Sequence, residues 1–465
     1  MIVVDDLRWD ELAITGHPYV ETPNIDRLAR EGAIFTRAFH SVPLCSPNRA
    51  TLLTGQYPSR HGIIDNVSRA LASHRLQTFP RALQGAGYDT AFLGKWHMGN
   101  DPTPRPGFDL WVAIPGQGRS TDPELYESGG IHVVRGYLTD ILTDRALSFI
   151  ERPREGPFLL YLAHKAIHPD IQQRDDGSAD PTTSLGYVAA PRHRGRYAGE
   201  VFPLRPNVVG SPAEIEGKPA LRRALERKHA TSSEQLAVSQ QVIRDRAEML
   251  LAVDDSVGRL IATLEANGEL DDTVIVLTSD NGFFFGEHAL TVERRLPYEE
   301  SIRTPLLVRY PPAVAPGTSI AALVGSVDLA PTLLELAGAP IGDHVQGRSL
   351  VPLLSAAAPA EDRAPRAQGV ASAPPWRDAI LIEFYTYENP FPWLLDMDYR
   401  ALRTARYKYV HWMQHPDENE LYDLEADPYE TQNLIDDPSA AALRAELEAK
   451  LARGVLEASG LTPAD

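Results

Sequence analysis

The chain has 465 residues, 43% of them hydrophobic and 23% charged, and a formal net charge of -18 at pH 7. Such a length holds one large domain with a smaller appendage, or two to three ordinary domains. The charge excludes nonspecific nucleic-acid binding, no apolar run reaches the length of a membrane span, and a single cysteine excludes an intrachain disulfide.

The opening MIVVDDLRWD is a short β-branched run ending in Asp5 and Asp6. It lacks the charged and long apolar regions of an export signal. The expected location is cytoplasmic as the chain is written, and periplasmic or secreted if a signal precedes it. Helix NIDRLAREG follows, then LCSPNRATLLTG, then strand-like DTAFLG running into Lys95 and His97. PFLLYLA, TVIVLTS and TPLLVRYP are further strand-like runs, alternating with helical patterns such as the long stretch from Ser233 to Gly268. This alternation predicts an α/β fold with a large, mostly parallel sheet flanked by helices. The Pro-, Gly- and charge-rich stretch 170–231 reads as an insertion that covers or shapes a site rather than as core. SAAAPAEDRAPRAQGVASAPP reads as a linker over 355–375. It separates a catalytic α/β domain, 1–354, from a small C-terminal α+β domain, 376–465, with an antiparallel sheet and one helix.

Polar residues follow the predicted strands: Asp5 and Asp6, Asp280 and Asn281, Lys95 and His97, and His168. Ligands of open α/β sheets bind beyond the carboxyl ends of the parallel strands. The four side chains Asp5, Asp6, Asp280 and Asn281 offer only oxygen, which suits a hard cation, Ca²⁺ or Mg²⁺. Another acidic pair, Asp254 and Asp255, lies within the long amphipathic helix and reads as a solvated face.

Cys45 precedes Ser46 and Pro47, read as the cap and first position of a helix. It would sit at the helix's positive end, where an anion is favoured and Arg49 can reach back. A thiolate, however, prefers softer ions than an oxygen-ligand site selects. That mismatch suggests that sulfur is not the working atom.

CSPNR with LLTG resembles the signature of the type I, formylglycine-dependent sulfatases of the alkaline-phosphatase superfamily. VDDLRWD, TPNIDRLAREG, GKWHMG, SDNGFFFGEH, PYEESIRTPLLVRYP, SVDLAPTLLELAG and ENELYDLEADPYETQNL extend the likeness over nearly the whole chain. The resemblance implies an alkaline-phosphatase-like fold and a cysteine converted to formylglycine by a formylglycine-generating enzyme. It implies one divalent cation, Ca²⁺ in preference to Mg²⁺, held by Asp5, Asp6, Asp280, Asn281 and the residue formed from Cys45. Arg49 would hold the formylglycine, Lys95 and His97 would bind sulfate and assist the nucleophile, and His168 would lie near the leaving-group oxygen. Arg294, with Arg295 beside it, stands where the family usually has a lysine; an arginine adds charge but cannot donate a proton at neutral pH. The implied reaction is hydrolysis of a sulfate monoester of a sulfated carbohydrate or other small molecule, aryl sulfates included, with His97 taking up a proton.

Only four residues precede Asp5, so the first strand is expected to be short and to leave a charged N-terminus near the metal. Rival readings are a phosphonate monoester or phosphodiester hydrolase of the same superfamily, a non-catalytic glycan-binding protein, and a metal-free cysteine hydrolase. The RHRGRY and LRRALERKH runs are candidate cations for an acidic glycan or members of a solvated covering segment. The aromatic residues of ENPFPWLLDMDYR are candidates for stacking on a sugar or for packing.

Overall fold

A computed structural model describes residues 1–183, 185–231, 239–356, 376–386 and 391–460. The expected linker falls almost entirely outside these residues, as do parts of the expected long helix and of the aromatic stretch.

Ten strands form the main sheet, and its centre is built from the runs that precede the polar residues. Strands Ile275–Ser279, Ile2–Val4, Phe158–His164, Asp89–Lys95 and Leu110–Ile114 lie side by side and parallel. Leu306–Arg309 is an exception to the expected parallel set. It runs antiparallel to both Ile275–Ser279 and Ala33–Phe35, and so makes the sheet mixed.

Strand alternation assigns the two faces. Ile2 and Val4 join a core with residues of helices Leu138–Ile150 and Gln240–Ala266. Val3 joins the opposite core with residues of helices Cys45–Thr54 and Leu329–Leu336. The sheet is thus buried between two helical layers, as its near-continuous apolar strands require.

Register brings the strand ends level. Val4 pairs with both Ser279 and His164, and Gly94 pairs with Ala163. Asp5, Asp280, Lys95 and the turn leading to His168 therefore leave the sheet at one edge. The close approach at Gly94 requires glycine: φ is +115°, and a Cβ there would lie 1.9 Å from the Ala163 carbonyl oxygen.

The Met1 amino group donates to the Leu160 carbonyl oxygen at 2.8 Å, at the end of the sheet opposite Asp5. Burial lowers its pKa to about 5. The expectation of a charged terminus beside the metal is therefore corrected on both position and charge.

At the C-terminal end, strands Ala379–Phe384, Tyr399–Thr404, Tyr407–Trp412 and Glu420–Asp423 form an antiparallel sheet. One face packs on helix Ala441–Ser459 through Leu402, Tyr409, Leu447 and Leu451. The other shares a core with Phe39, Val42 and Leu44, the residues leading into Cys45. Helix Pro219–Thr231 inserts Ala220, Leu221, Ala224 and Leu225 into that same core. The stretch 170–231 is thus core in its helical part, contrary to that half of its reading, while Gln173 at its start lies against His97 as a site-shaping segment would.

Candidate active site

The helix carrying Cys45 runs from Cys45 to Thr54 and is buried throughout. It begins two residues earlier than the Ser-Pro signal predicts, with extended Leu44 at the cap position. Ser46 does not cap it: its hydroxyl donates to the His97 carbonyl oxygen at 2.7 Å. The capping role falls to Asn66, whose Oδ1 accepts the Ser46 N–H at 3.0 Å. The helix ends at Gly55 in a left-handed conformation, with its N–H on the Thr51 carbonyl oxygen.

Cys45 Sγ lies 4.0 Å from Asp5 Oδ1 and is fully buried. Ligand atoms of Asp5, Cys45 and Asp280 all lie within 4.8 Å of one another. Burial pushes the thiol up to about 12, reinforced by Asp280, Asp5 and Asp6 and only partly opposed by Lys95. A shift in that direction disfavours the thiolate that a cysteine hydrolase needs.

Each carboxylate meets a cation. Lys95 Nζ donates to Asp5 Oδ2. Arg49 places Nε at 2.9 Å and Nη2 at 2.8 Å from Asp280 Oδ2, and Nη1 at 2.6 Å from the Lys95 carbonyl oxygen. Arg294 Nη2 donates to Asp6 Oδ2 at 2.6 Å, whereas Arg295 turns to Glu293 at 2.7 Å and to the Phe391 ring. Of the two arginines, Arg294 is the one that meets Asp6.

Asn281 Nδ2 donates to Asp6 Oδ1 at 2.6 Å, while its buried Oδ1 has no hydrogen-bond partner among the described residues. An orphaned buried acceptor is costly unless something positive fills the space beside it. Burial and then Asp280 push the Asp5 carboxyl up to about 7, despite Lys95. Four oxygen-bearing side chains with one unsatisfied amide oxygen fit a hard divalent cation.

His97 and His168 complete the edge. His97 adopts φ +67° and is buried, its Nε2 against Gln173 Oε1 and its Nδ1 without a hydrogen-bond partner among the described residues. His168 donates Nδ1–H to the Pro169 carbonyl oxygen at 2.8 Å, which leaves Nε2 as the lone-pair nitrogen of the neutral ring. Burial, followed by Lys95, holds both rings well below the usual imidazole range. Lys165 secures the His168 turn, reaching the His168 carbonyl oxygen at 2.8 Å and Asp170 Oδ1 at 2.7 Å.

Sequence reasoning missed Asn66, Gln173 and Arg246. Arg246 Nη2 donates to the Asp6 carbonyl oxygen at 2.7 Å. An uncharged amide in a loop, another in a two-residue strand and an arginine on an amphipathic helix carry no local signal for such contacts. Asp254 was misread as solvated: it is 3% exposed and accepts the N–H groups of Asn24 and Ile25 at 3.0 and 2.8 Å, capping helix Pro23–Arg30 from a distance.

The cations considered for a glycan have internal partners. Arg192 pairs with Asp140 and Asp255, Arg196 with Glu21, and Arg223 with Glu418 and Asp396. Trp393 is buried in the core shared with helix Pro219–Thr231, which favours packing over sugar stacking for that ring.

A second buried cluster joins His288, Glu300 and Glu430, whose ligand atoms also lie within 4.8 Å of one another. Its carboxylates are already compensated. Lys408 binds Glu430 and Glu299, Arg205 Nη1 lies 3.1 Å from Glu300, and Arg403 Nε lies 3.0 Å from Glu299.

A family model described as Sulfatase matches residues 1–339, and one described as N-sulphoglucosamine sulphohydrolase, C-terminal, matches 286–456. Among curated relatives, an N-acetylglucosamine-6-O-sulfatase of Bacteroides thetaiotaomicron is 32% identical over 96% of this chain and 84% of its own length. An ulvan-active sulfatase of Formosa agariphila is 28% identical over 98% and 80%. A solved structure in complex with its substrate D-glucosamine-2-N,6-O-disulfate superposes with a TM-score of 0.83 and 30% identity, covering 99% of this chain and 97% of that one.

Proposed function

For this chain, which belongs to the sulfatase family and is a sulfuric ester hydrolase of alkaline-phosphatase-like fold, we propose hydrolysis of 6-O-sulfate esters on N-acetylglucosamine or a related amino sugar. The family generally uses formylglycine and a divalent metal. The convergence of Cys45, Asp5 and Asp280 within 4.8 Å is the observation that carries the placement of both here. The names of the B. thetaiotaomicron relative and of the substrate-bound structure support the substrate class.

Asp5, Asp6, Asp280 and Asn281 would hold the cation, beside the residue formed from Cys45. Three carboxylates and an amide oxygen suit Ca²⁺, which accepts an irregular shell of six to eight oxygens, better than octahedral Mg²⁺. When present, the two groups supply an oxygen nucleophile activated by a Lewis acid.

The chain's own residues do the rest. Lys95, Arg49 and Arg294 bring positive charge to the same edge and neutralise the sulfate oxygens. His97 accepts a proton at Nδ1, the nitrogen without a hydrogen-bond partner among the described residues. His168, oriented by its bond to the Pro169 carbonyl oxygen, presents Nε2 to the leaving-group oxygen. The surrounding burial excludes water and strengthens each of these interactions.

The test uses protein made with a formylglycine-generating enzyme and compares sulfate release from N-acetylglucosamine-6-sulfate with hydrolysis of a phosphonate monoester. The sulfate ester is expected to react faster. A preference for the phosphonate would replace this reading with that of a phosphonate monoester hydrolase.

A further inference from the structure

We infer that Gln173 is a positioning residue that fixes the tautomer of His97, leaving Nδ1 as the site's proton-accepting atom. The inference deepens the proposed function and rests on it for its catalytic meaning, though not for its geometry.

The argument starts from what the Gln173 amide can bond. Its Nε2 donates to the Gly177 carbonyl oxygen at 2.8 Å and, more weakly, to the Asn66 carbonyl oxygen at 3.4 Å. Carbonyl oxygens only accept, so a flipped amide would oppose oxygen to oxygen at both contacts. Oε1 must therefore be the atom against His97 Nε2, and it also accepts from Gln117 Nε2 at 3.1 Å. A ring nitrogen facing that oxygen has to carry the proton. Neutral imidazole carries one proton, so Nδ1 keeps its lone pair. Nδ1 is the buried ring atom with no hydrogen-bond partner among the described residues.

The contacts close into a ring of four residues. The Ser46 N–H bonds Asn66 Oδ1, the Asn66 carbonyl oxygen accepts from Gln173, Gln173 Oε1 accepts from His97, and the His97 carbonyl oxygen accepts from the Ser46 hydroxyl. The circuit ties the turn immediately after Cys45 to the imidazole and holds His97 in its left-handed backbone conformation. Gln172 and Gln173 are fixed in turn by pairing with Ala179 and Asp180. Outer partners that set an imidazole's tautomer and orientation typically change function 10- to 100-fold when removed.

The first experiment is nitrogen-15 NMR of histidine-labelled full-length protein carrying unmodified Cys45, with His97 assigned by the signal lost in His97→Asn. A protonated Nε2 and an unprotonated Nδ1 are expected, and Gln173→Leu should shift that signal toward a mixture of tautomers. A protonated Nδ1 in the unsubstituted protein, or no change in Gln173→Leu, overturns the inference. The second experiment measures turnover of the matured enzyme, where Gln173→Leu should lower kcat about 10- to 100-fold with KM changed less than about 3-fold. A raised KM with unchanged kcat would make Gln173 a substrate-binding residue and overturn its positioning role. If Gln173→Leu does not fold, Gln173→Asn shortens the amide out of reach and serves both measurements. Full turnover in His97→Asn would defeat the catalytic reading of His97 and leave the NMR result to judge the tautomer separately.

Discussion

Two buried clusters each bring three metal-ligating side chains within 4.8 Å: Asp5, Cys45 and Asp280 at the sheet edge, and His288, Glu300 and Glu430 beside the C-terminal sheet. Proximity alone does not separate them. At the sheet edge the acidic groups come from the ends of adjacent parallel strands and a sulfur sits at a helix start; an oxygen without a hydrogen-bond partner among the described residues occurs in both, Asn281 Oδ1 at the first and Glu300 Oε2 at the second. At the second cluster Lys408 spans Glu299 and Glu430, and Arg403 reaches back from the C-terminal sheet to Glu299. The Glu299 N–H also donates to Glu430 Oε2 at 2.9 Å. The first is an edge where chemistry collects, and the second is a junction that docks the C-terminal sheet. Cations meet the carboxylates of both clusters, so a buried carboxylate is informative only together with the elements that deliver it.

The comparison can be broken most sharply at Cys45. Cys45→Ala should lower sulfate ester turnover by about 10³-fold or more, since the nucleophile's precursor is gone. Stability should fall by only about 1 kcal/mol, because a small buried side chain is shortened. Turnover and calorimetry on the same preparation check both halves. Lys408→Met should invert the pattern, costing about 3–5 kcal/mol by leaving Glu430 without its cation. Turnover per folded molecule at low temperature should be kept, as thermal melts beside rates would report.

Metal removal sharpens the contrast. A chelator should lower the melting temperature of the unsubstituted protein, corresponding to about 2–3 kcal/mol if the ion was present near 100-fold its dissociation constant. Lys408→Met should retain that chelator-dependent shift and Asp280→Ala should lose it; the reverse would place the ion at the wrong cluster. The smallest effect concerns a carboxylate outside both clusters. Burial raises Asp254 to about 6. Its contribution to stability is present in full below the unfolded value near pH 3.9 and is lost as pH rises through 6. Asp254→Asn should remove roughly 2 kcal/mol of pH dependence between about pH 4 and 6, read from melting temperature against pH.

Much of the sheet edge was legible because strand ends carry their chemistry in adjacent residues. β-branched runs predicted the strands before Asp5, Lys95 and Asp280, and the structure levels them through the Val4–Ser279 and Gly94–Ala163 pairings. What escaped reading depended on contacts far apart in sequence. Asn66 caps the Cys45 helix from 20 residues away, and Asp254 caps Pro23–Arg30 from about 230. The antiparallel course of Leu306–Arg309 escaped for another reason, since a short apolar run looks the same in either direction. Arg294 was picked out by its place after SDNG, and the fold adds that it faces Asp6 while Arg295 turns to Glu293.

The central claim is a metal-assisted sulfatase site built on the residue formed from Cys45. It is tested most directly by measuring sulfate release from N-acetylglucosamine-6-sulfate by the matured protein, before and after metal removal, with Cys45→Ala in parallel. Turnover that is lost on chelation, restored by Ca²⁺ and absent in Cys45→Ala is the predicted result. Turnover that survives either chelation or the substitution would contradict it.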